Sequence, residues 1–115
     1  MIKGIFDGHK ILIGDKEINI SKSQKIRNHS QDFSWSYGGS GPAQTALAIL
    51  LEITNSELLS LSLYQNFKWE KIATLSPIDF VMPVSEVKEW VEKNRFKGVV
   101  KIMLPTDLKK EGTDG

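Results

Sequence analysis

The chain has 115 residues, enough for one domain with a real core and too few for two. Its 40% hydrophobic and 25% charged content is ordinary for a globular protein, and a net charge of +1 supplies no long-range attraction to nucleic acid or membrane. There is no cysteine, which excludes disulfides, thiolate catalysis and cysteine-based metal sites.

Ile2, Ile5 and Phe6, then Ile11-Leu12-Ile13, are short β-type runs separated by the turn dipeptide Asp7-Gly8. Residues 14–16 make the next turn, and Glu17-Ile18-Asn19-Ile20 alternates as a half-buried strand should, so residues 2–20 predict a three-stranded meander. Residues 21–30 are polar, carry Lys22, Lys25, Arg27 and His29, and read as a loop with some extended structure. Phe33, Trp35 and Tyr37 follow at alternate positions, which in a strand puts all three rings on one face.

Gly38-Gly39-Ser40-Gly41 predicts a tight turn, since glycine tolerates backbone angles that other residues avoid. Pro42 suits the first helical position, where its missing N–H costs nothing. With Gly41 as the N-cap, Gln44 reaches back to it; with Ser40 as the cap, its hydroxyl takes a backbone N–H. Residues 43–53 are then apolar nearly all round, the mark of a central helix buried on several sides. Thr54-Asn55 ends it, and Ser56 caps a second helix through Leu58, Leu59, Leu61, Tyr64 and Phe67, giving a helical hairpin over 43–53 and 58–72. Tyr64, Phe67 and Trp69 are expected in the core.

Ser76-Pro77 stops that helix, Phe80-Val81-Met82 is a strand candidate, and a third short helix is expected over 85–93 with Val87, Trp90 and Val91 on its apolar face. Gly98 reads as its stop, and Val99-Val100-Lys101-Ile102-Met103-Leu104 as a late strand closed by Pro105. The expected fold is therefore α+β: a small, mostly antiparallel sheet packed against a helical hairpin with a buried central helix, plus a third short helix. Residues 1–105 would form the single domain and 106–115 a flexible tail. Residues 1–6 lack the apolar core of a signal peptide, and the longest apolar run, residues 46–51, falls far short of the ~20 residues of a bilayer span. The expectation is a cytoplasmic protein that does not enter membranes.

Chemistry has few places to sit. His9 and His29 lie in different segments without metal-ligand spacing, so neither metal nor cofactor is expected. Ser40 with His29 and Asp32 does not form the G-x-S-x-G elbow of a hydrolase, and Ser85-Glu86-Val87-Lys88 matches S-x-x-K by letters alone. The glycine turn is the better signal, although it lacks a P-loop lysine and dinucleotide-fingerprint spacing. A helix N-terminus directs unpaired N–H groups and about half a positive charge at one spot, and glycines let a ligand approach that backbone closely. Trp35 and Tyr37 just before it could stack on a base, a contact worth ~1–3 kcal/mol in nucleic-acid binders. Lys25, Arg27 and His29 would complete a phosphate environment if their loop folds back. The candidate ligand-binding residues are thus Arg27, His29, Trp35, Tyr37, Gly38, Gly39, Ser40, Gly41 and Gln44. The architectural alternative is that the three rings are core and the glycines serve only close strand–helix packing.

Asn28-His29-Ser30, then Phe33-Ser34-Trp35-Ser36-Tyr37-Gly38-Gly39-Ser40-Gly41-Pro42-Ala43-Gln44 and the apolar run to Leu51, with a later block Tyr64-Gln65-Asn66-Phe67-Lys68-Trp69-Glu70, resembles a family of small bacterial, archaeal and phage proteins catalogued as domain of unknown function 6166. The likeness spans about Gly8 to Trp90. This chain has Ser36 where the family favours glycine and Thr45 where it favours leucine. The resemblance implies no activity, only a setting of chromosomes, plasmids and phages. Site chemistry and setting together lead to a first expectation of a non-enzymatic binding module for a phosphate-bearing small molecule, such as a nucleotide immune signal sequestered by a phage or mobile-element protein. The second is a protein–protein inhibitor or adaptor with a purely architectural glycine block, and the third a phosphate-ester hydrolase or transferase. Two leucine-rich helices in one short chain also predict association into a homo-oligomer.

Overall fold

The computed structural model describes residues 1–103, with side chains as far as Arg95. In chain order it comprises β1 (Ile2–Ile5), β2 (Lys10–Ile13), β3 (Lys16–Glu17), α1 (Ile20–Gln24), α2 (Ser40–Thr54), α3 (Glu57–Phe67), β4 (Phe80–Met82) and α4 (Val84–Met103). The four strands form one sheet in the order β3-β2-β1-β4 with every pairing antiparallel, so the fold is α+β as expected. Ile2 lies opposite Ile13 on one side and Met82 on the other, and Ile2, Ile11 and Met82 are buried. No helix of the described residues is long and apolar enough to cross a membrane.

The core is built on α2. Every residue from Gly41 to Leu51 is buried, because α1, α3 and α4 all pack against this helix. Leucine, isoleucine and alanine around its whole circumference make burial on several sides the only favourable arrangement. Its end follows the sequence signals: Asn55 adopts the left-handed conformation (φ 53°) with its N–H on Leu51 O at 2.9 Å, and Ser56 Oγ accepts from Leu59 N at 3.1 Å.

Several expectations are corrected. Residues 20–24 form α1, not extended chain, because the Asn19 side chain caps them by accepting from Ser21 N at 2.9 Å. α2 begins at Ser40 with Gly39 as its N-cap, so Pro42 stands third in the helix instead of first. Proline is accepted there too, since the first four helical N–H groups have no intrahelical acceptor. Phe33, Trp35 and Tyr37 do not form a strand. That segment is tied down by other means: Ser34 N donates to Thr45 Oγ1 (2.9 Å) and Ser36 N to Ile72 O (3.1 Å), with Ser36 at φ 87°. Thr45 Oγ1 also lies 2.8 Å from Ser34 O and 2.9 Å from Gly41 O, so its one proton is well placed to donate.

After Phe67 the second hairpin helix widens into a π turn over Lys68–Ile72, with Ala73 N on Lys68 O at 2.7 Å. Tyr64 and Phe67 are buried as expected, but Trp69 is 58% exposed. Two residues along a helix is a rotation of about 200°, so Trp69 leaves the face that Phe67 occupies. The third helix is longer than expected, and residues 99–103 belong to α4 instead of a strand. A short apolar run fits either state, and one interior glycine costs only about 1 kcal/mol, too little to stop a helix already under way. Leu104, Pro105 and the tail expected over 106–115 lie outside the described residues.

Candidate functional site

The loop carrying Arg27 and His29 does fold back on α2, and Gln44 is the reason. Its side chain is fully buried and uses both ends: Oε1 accepts from His29 N (2.6 Å) and Ser30 N (3.0 Å), while Nε2 donates to Ser23 Oγ (2.8 Å) and Arg27 O (3.1 Å). A buried amide with every strong bond made is an architectural clamp. Gln44 therefore has nothing left for a ligand. The half-buried His29 ring is directed inward, with Nε2 2.8 Å from the hydroxyl of buried Tyr64. Burial, then the charges of Arg27 and Lys68, hold its imidazole below the ordinary value of 6.5.

Trp35 is likewise committed. It is 1% exposed, its Nε1 donates to Ile78 O at 2.9 Å, and Phe6 and Phe80 meet its ring edge-on at 5.4 and 4.9 Å. It is core and offers no stacking face. Tyr37 is the opposite, 52% exposed, with its ring drawn over the glycine turn. A Cβ on Gly39 would stand 2.6 Å from that ring, and one on Gly41 would stand 2.8 Å from the Tyr37 hydroxyl.

Gly38 to Ser40 remain at the surface, half-buried or exposed, whereas Gly41 is buried. No side chain caps α2 at Gly39. The N–H groups of Ser40 and Gly41 have no acceptor among the described residues, while Ala43 N already bonds Gly39 O at 3.1 Å. This is the unsatisfied, electropositive end of a fifteen-residue helix.

Two side chains that the sequence placed elsewhere complete the neighbourhood. The π turn brings Lys68 and Trp69 against the glycines. Lys68 is 7% exposed, its Nζ donates to Gly38 O at 3.2 Å and sits 4.4 Å from the centre of the Trp69 ring. The Trp69 ring occupies the space where a Gly38 side chain would begin. No carboxylate among the described residues pairs with Lys68 or Arg27. The sequence signal for this pair was the aromatic block at residues 64–70, whose apolar rings point to the core by composition.

A cleft of about 540 Å³ opens elsewhere, between the β1–β2 turn and the segment before Phe33, with His9, Glu17 and Asp32 among its walls. His9 there is tied to Phe33 O through Nδ1 at 3.0 Å, and no three histidine or acidic side chains among the described residues converge to hold a metal. The chemistry gathers instead at the uncapped helix and the buried cation.

The chain matches no curated protein and no solved structure. Residues 3–93 match the family of unknown function DUF6166, a span that takes in the meander, the Gln44 clamp, the glycine turn and the π turn, and the protein belongs to that family.

Proposed function

We propose that this protein is a non-enzymatic binding module for a phosphate-bearing small molecule, seated at the start of α2. The observation that carries the reading is the uncapped end of a buried helix whose first N–H groups lack acceptors among the described residues, beside Lys68, which no carboxylate among them pairs. Backbone N–H groups of Ser40 and Gly41 would take phosphate oxygens, with the Ser40 hydroxyl as a further donor. Arg27 would supply charge from the folded-back loop, which His29 helps to seat through its ring on Tyr64, and exposed Tyr37 an aromatic surface for a base. In the finer form of this reading the ligand is a nucleotide signal of host immunity, held out of circulation by a phage or mobile-element protein. Trp35 and Gln44 support the site from inside and do not touch the ligand.

Thermal shift with inorganic phosphate, AMP and cyclic nucleotides tests it. A bound ligand raises the melting temperature by mass action, and Ser40→Asp, which sets a carboxylate at the anion's place, abolishes the rise. No shift with any of these compounds in the parent protein sinks the reading.

One observation favours the second reading, a protein–protein adaptor. The Tyr37 and Trp69 rings fill the space above Gly38, Gly39 and Gly41, which gives those glycines a purely architectural use. An adaptor would retain its partner in pulldown when Ser40→Asp is introduced.

A further inference from the structure

We propose that Lys68 is the counter-ion of the anion bound at the glycine turn, with Trp69 as its movable cover, so that the group recognised is a compact, multiply charged oxyanion of the phosphate type. This rests on the reading of the α2 start as a binding site, and adds to it the residue that sets charge specificity.

Taking an ammonium out of water without an ion-pair partner is expensive, and proteins ordinarily pair such a group with a carboxylate. Lys68 is more than nine-tenths buried, yet its only hydrogen-bond partner among the described residues is the Gly38 carbonyl at 3.2 Å. Two of its three N–H donors have no protein acceptor among the described residues. Glu70 is two residues away and turns elsewhere, accepting from Trp90 Nε1 at 3.0 Å, and Glu86 pairs with Lys71 at 3.1 Å. Both of these acids are therefore engaged elsewhere, and Lys68 is left with a dipole and a ring.

Position completes the case. Lys68 reaches Gly38, immediately before the helix whose first N–H groups lack acceptors, so ammonium and amides bracket the same stretch of backbone. The backbone pays for this placement with a π turn, a geometry rare enough to be associated with functional sites. Trp69 lies over both Gly38 and the Lys68 ammonium while remaining 58% exposed, so it can swing into solvent without opening the core. A carboxylate ligand would satisfy one cation. A phosphate has oxygens enough for Lys68 and the two amides together.

The test is calorimetric titration of inorganic phosphate, acetate and AMP into the parent, Lys68→Met and Lys68→Arg proteins. Expected are phosphate binding well above acetate in the parent, a loss of about tenfold or more in Lys68→Met, the size of one charge-assisted hydrogen bond, and retention in Lys68→Arg. Lys68→Met should also be at least as stable as the parent when no anion is present, since an apolar side chain relieves a buried charge. Equal phosphate affinity in parent and Lys68→Met overturns the assignment while leaving the binding site standing; no binding of phosphate or AMP by the parent overturns both. Should Lys68→Met fail to fold, parent fluorescence decides. A phosphate-dependent tryptophan change that disappears in Trp69→Phe supports the role of Trp69 as cover beside Lys68, and an unchanged spectrum at phosphate saturation overturns it.

Discussion

At the start of α2, two neighbourhoods hold buried polar groups in opposite conditions. Around Gln44, four hydrogen bonds pin residues 23–30 to the helix, and the buried amide has no unmet demand. Around Gly38 and Lys68, the ammonium of a buried lysine has one carbonyl and a ring among the described residues, and the adjoining helix end has no side-chain cap. The first neighbourhood is complete within the chain. The second leaves backbone donors without an acceptor among the described residues, and the proposed binding reading rests on this contrast.

The sharpest way to break the contrast is to spoil the complete side. Gln44→Leu keeps the volume but strands two N–H groups and a carbonyl in the interior, and should cost about 3 kcal/mol or more in urea denaturation, since each orphaned group costs roughly 1–3. A loss under about 1 kcal/mol would mean the clamp is not what orders the loop.

On the incomplete side the same kind of change should be mild. In Gly38→Ala the new methyl overlaps the Trp69 ring, which is free to move outward, so stability should fall by about 1 kcal/mol or less while Trp69 emission shifts to the red. A much larger loss would make the glycine–tryptophan contact part of the core.

His29 joins the two neighbourhoods, with its backbone on Gln44 and its ring on Tyr64. Its folded-state pKa is lowered, so the unfolded chain takes up a proton near 6.5 that the folded chain resists. Stability from this group is therefore intact above 6.5 and declines as pH falls from there toward the folded-state value. Urea midpoints should drop across that window in the parent and less in His29→Gln. Bound phosphate should flatten the drop, because an anion nearby eases protonation. An equal pH slope in both proteins would show that His29 is not the group responsible.

The smallest effect concerns the approach to the turn. Ser36 sits at φ 87°, a region that costs a side-chain-bearing residue roughly 1–2 kcal/mol, so Ser36→Gly should raise stability by up to about 1 kcal/mol after its own entropic cost. A decrease would show that the serine hydroxyl contributes more than its backbone costs.

Much of the fold could be read from residue order because its signals are local. Asn55-Ser56 punctuates the hairpin by a left-handed residue and a hydroxyl cap, and the short β runs announce the meander. The apolar girth of α2 announces its burial. The site was legible only in part. Glycines before an apolar helix marked its position, but alternation of Phe33, Trp35 and Tyr37 could not reveal that two rings turn inward and one stays out without any strand pairing. Lys68 and Trp69 were hidden for a different reason: a period of 3.6 carries no notice of a turn that closes on the fifth residue. Residues 99–103 misled through β-branched composition, which a helix already growing can absorb.

That wide turn also has a bearing on descent. Inserting or deleting one amino acid is the simplest step between a π turn and ordinary α pitch. Taking one out between Phe67 and Ala73 would rewind the segment and carry lysine and tryptophan off the glycines, while the sheet and the buried hairpin kept their places. On the proposed reading, capture of a ligand is gained or surrendered by a single codon, with the scaffold left intact.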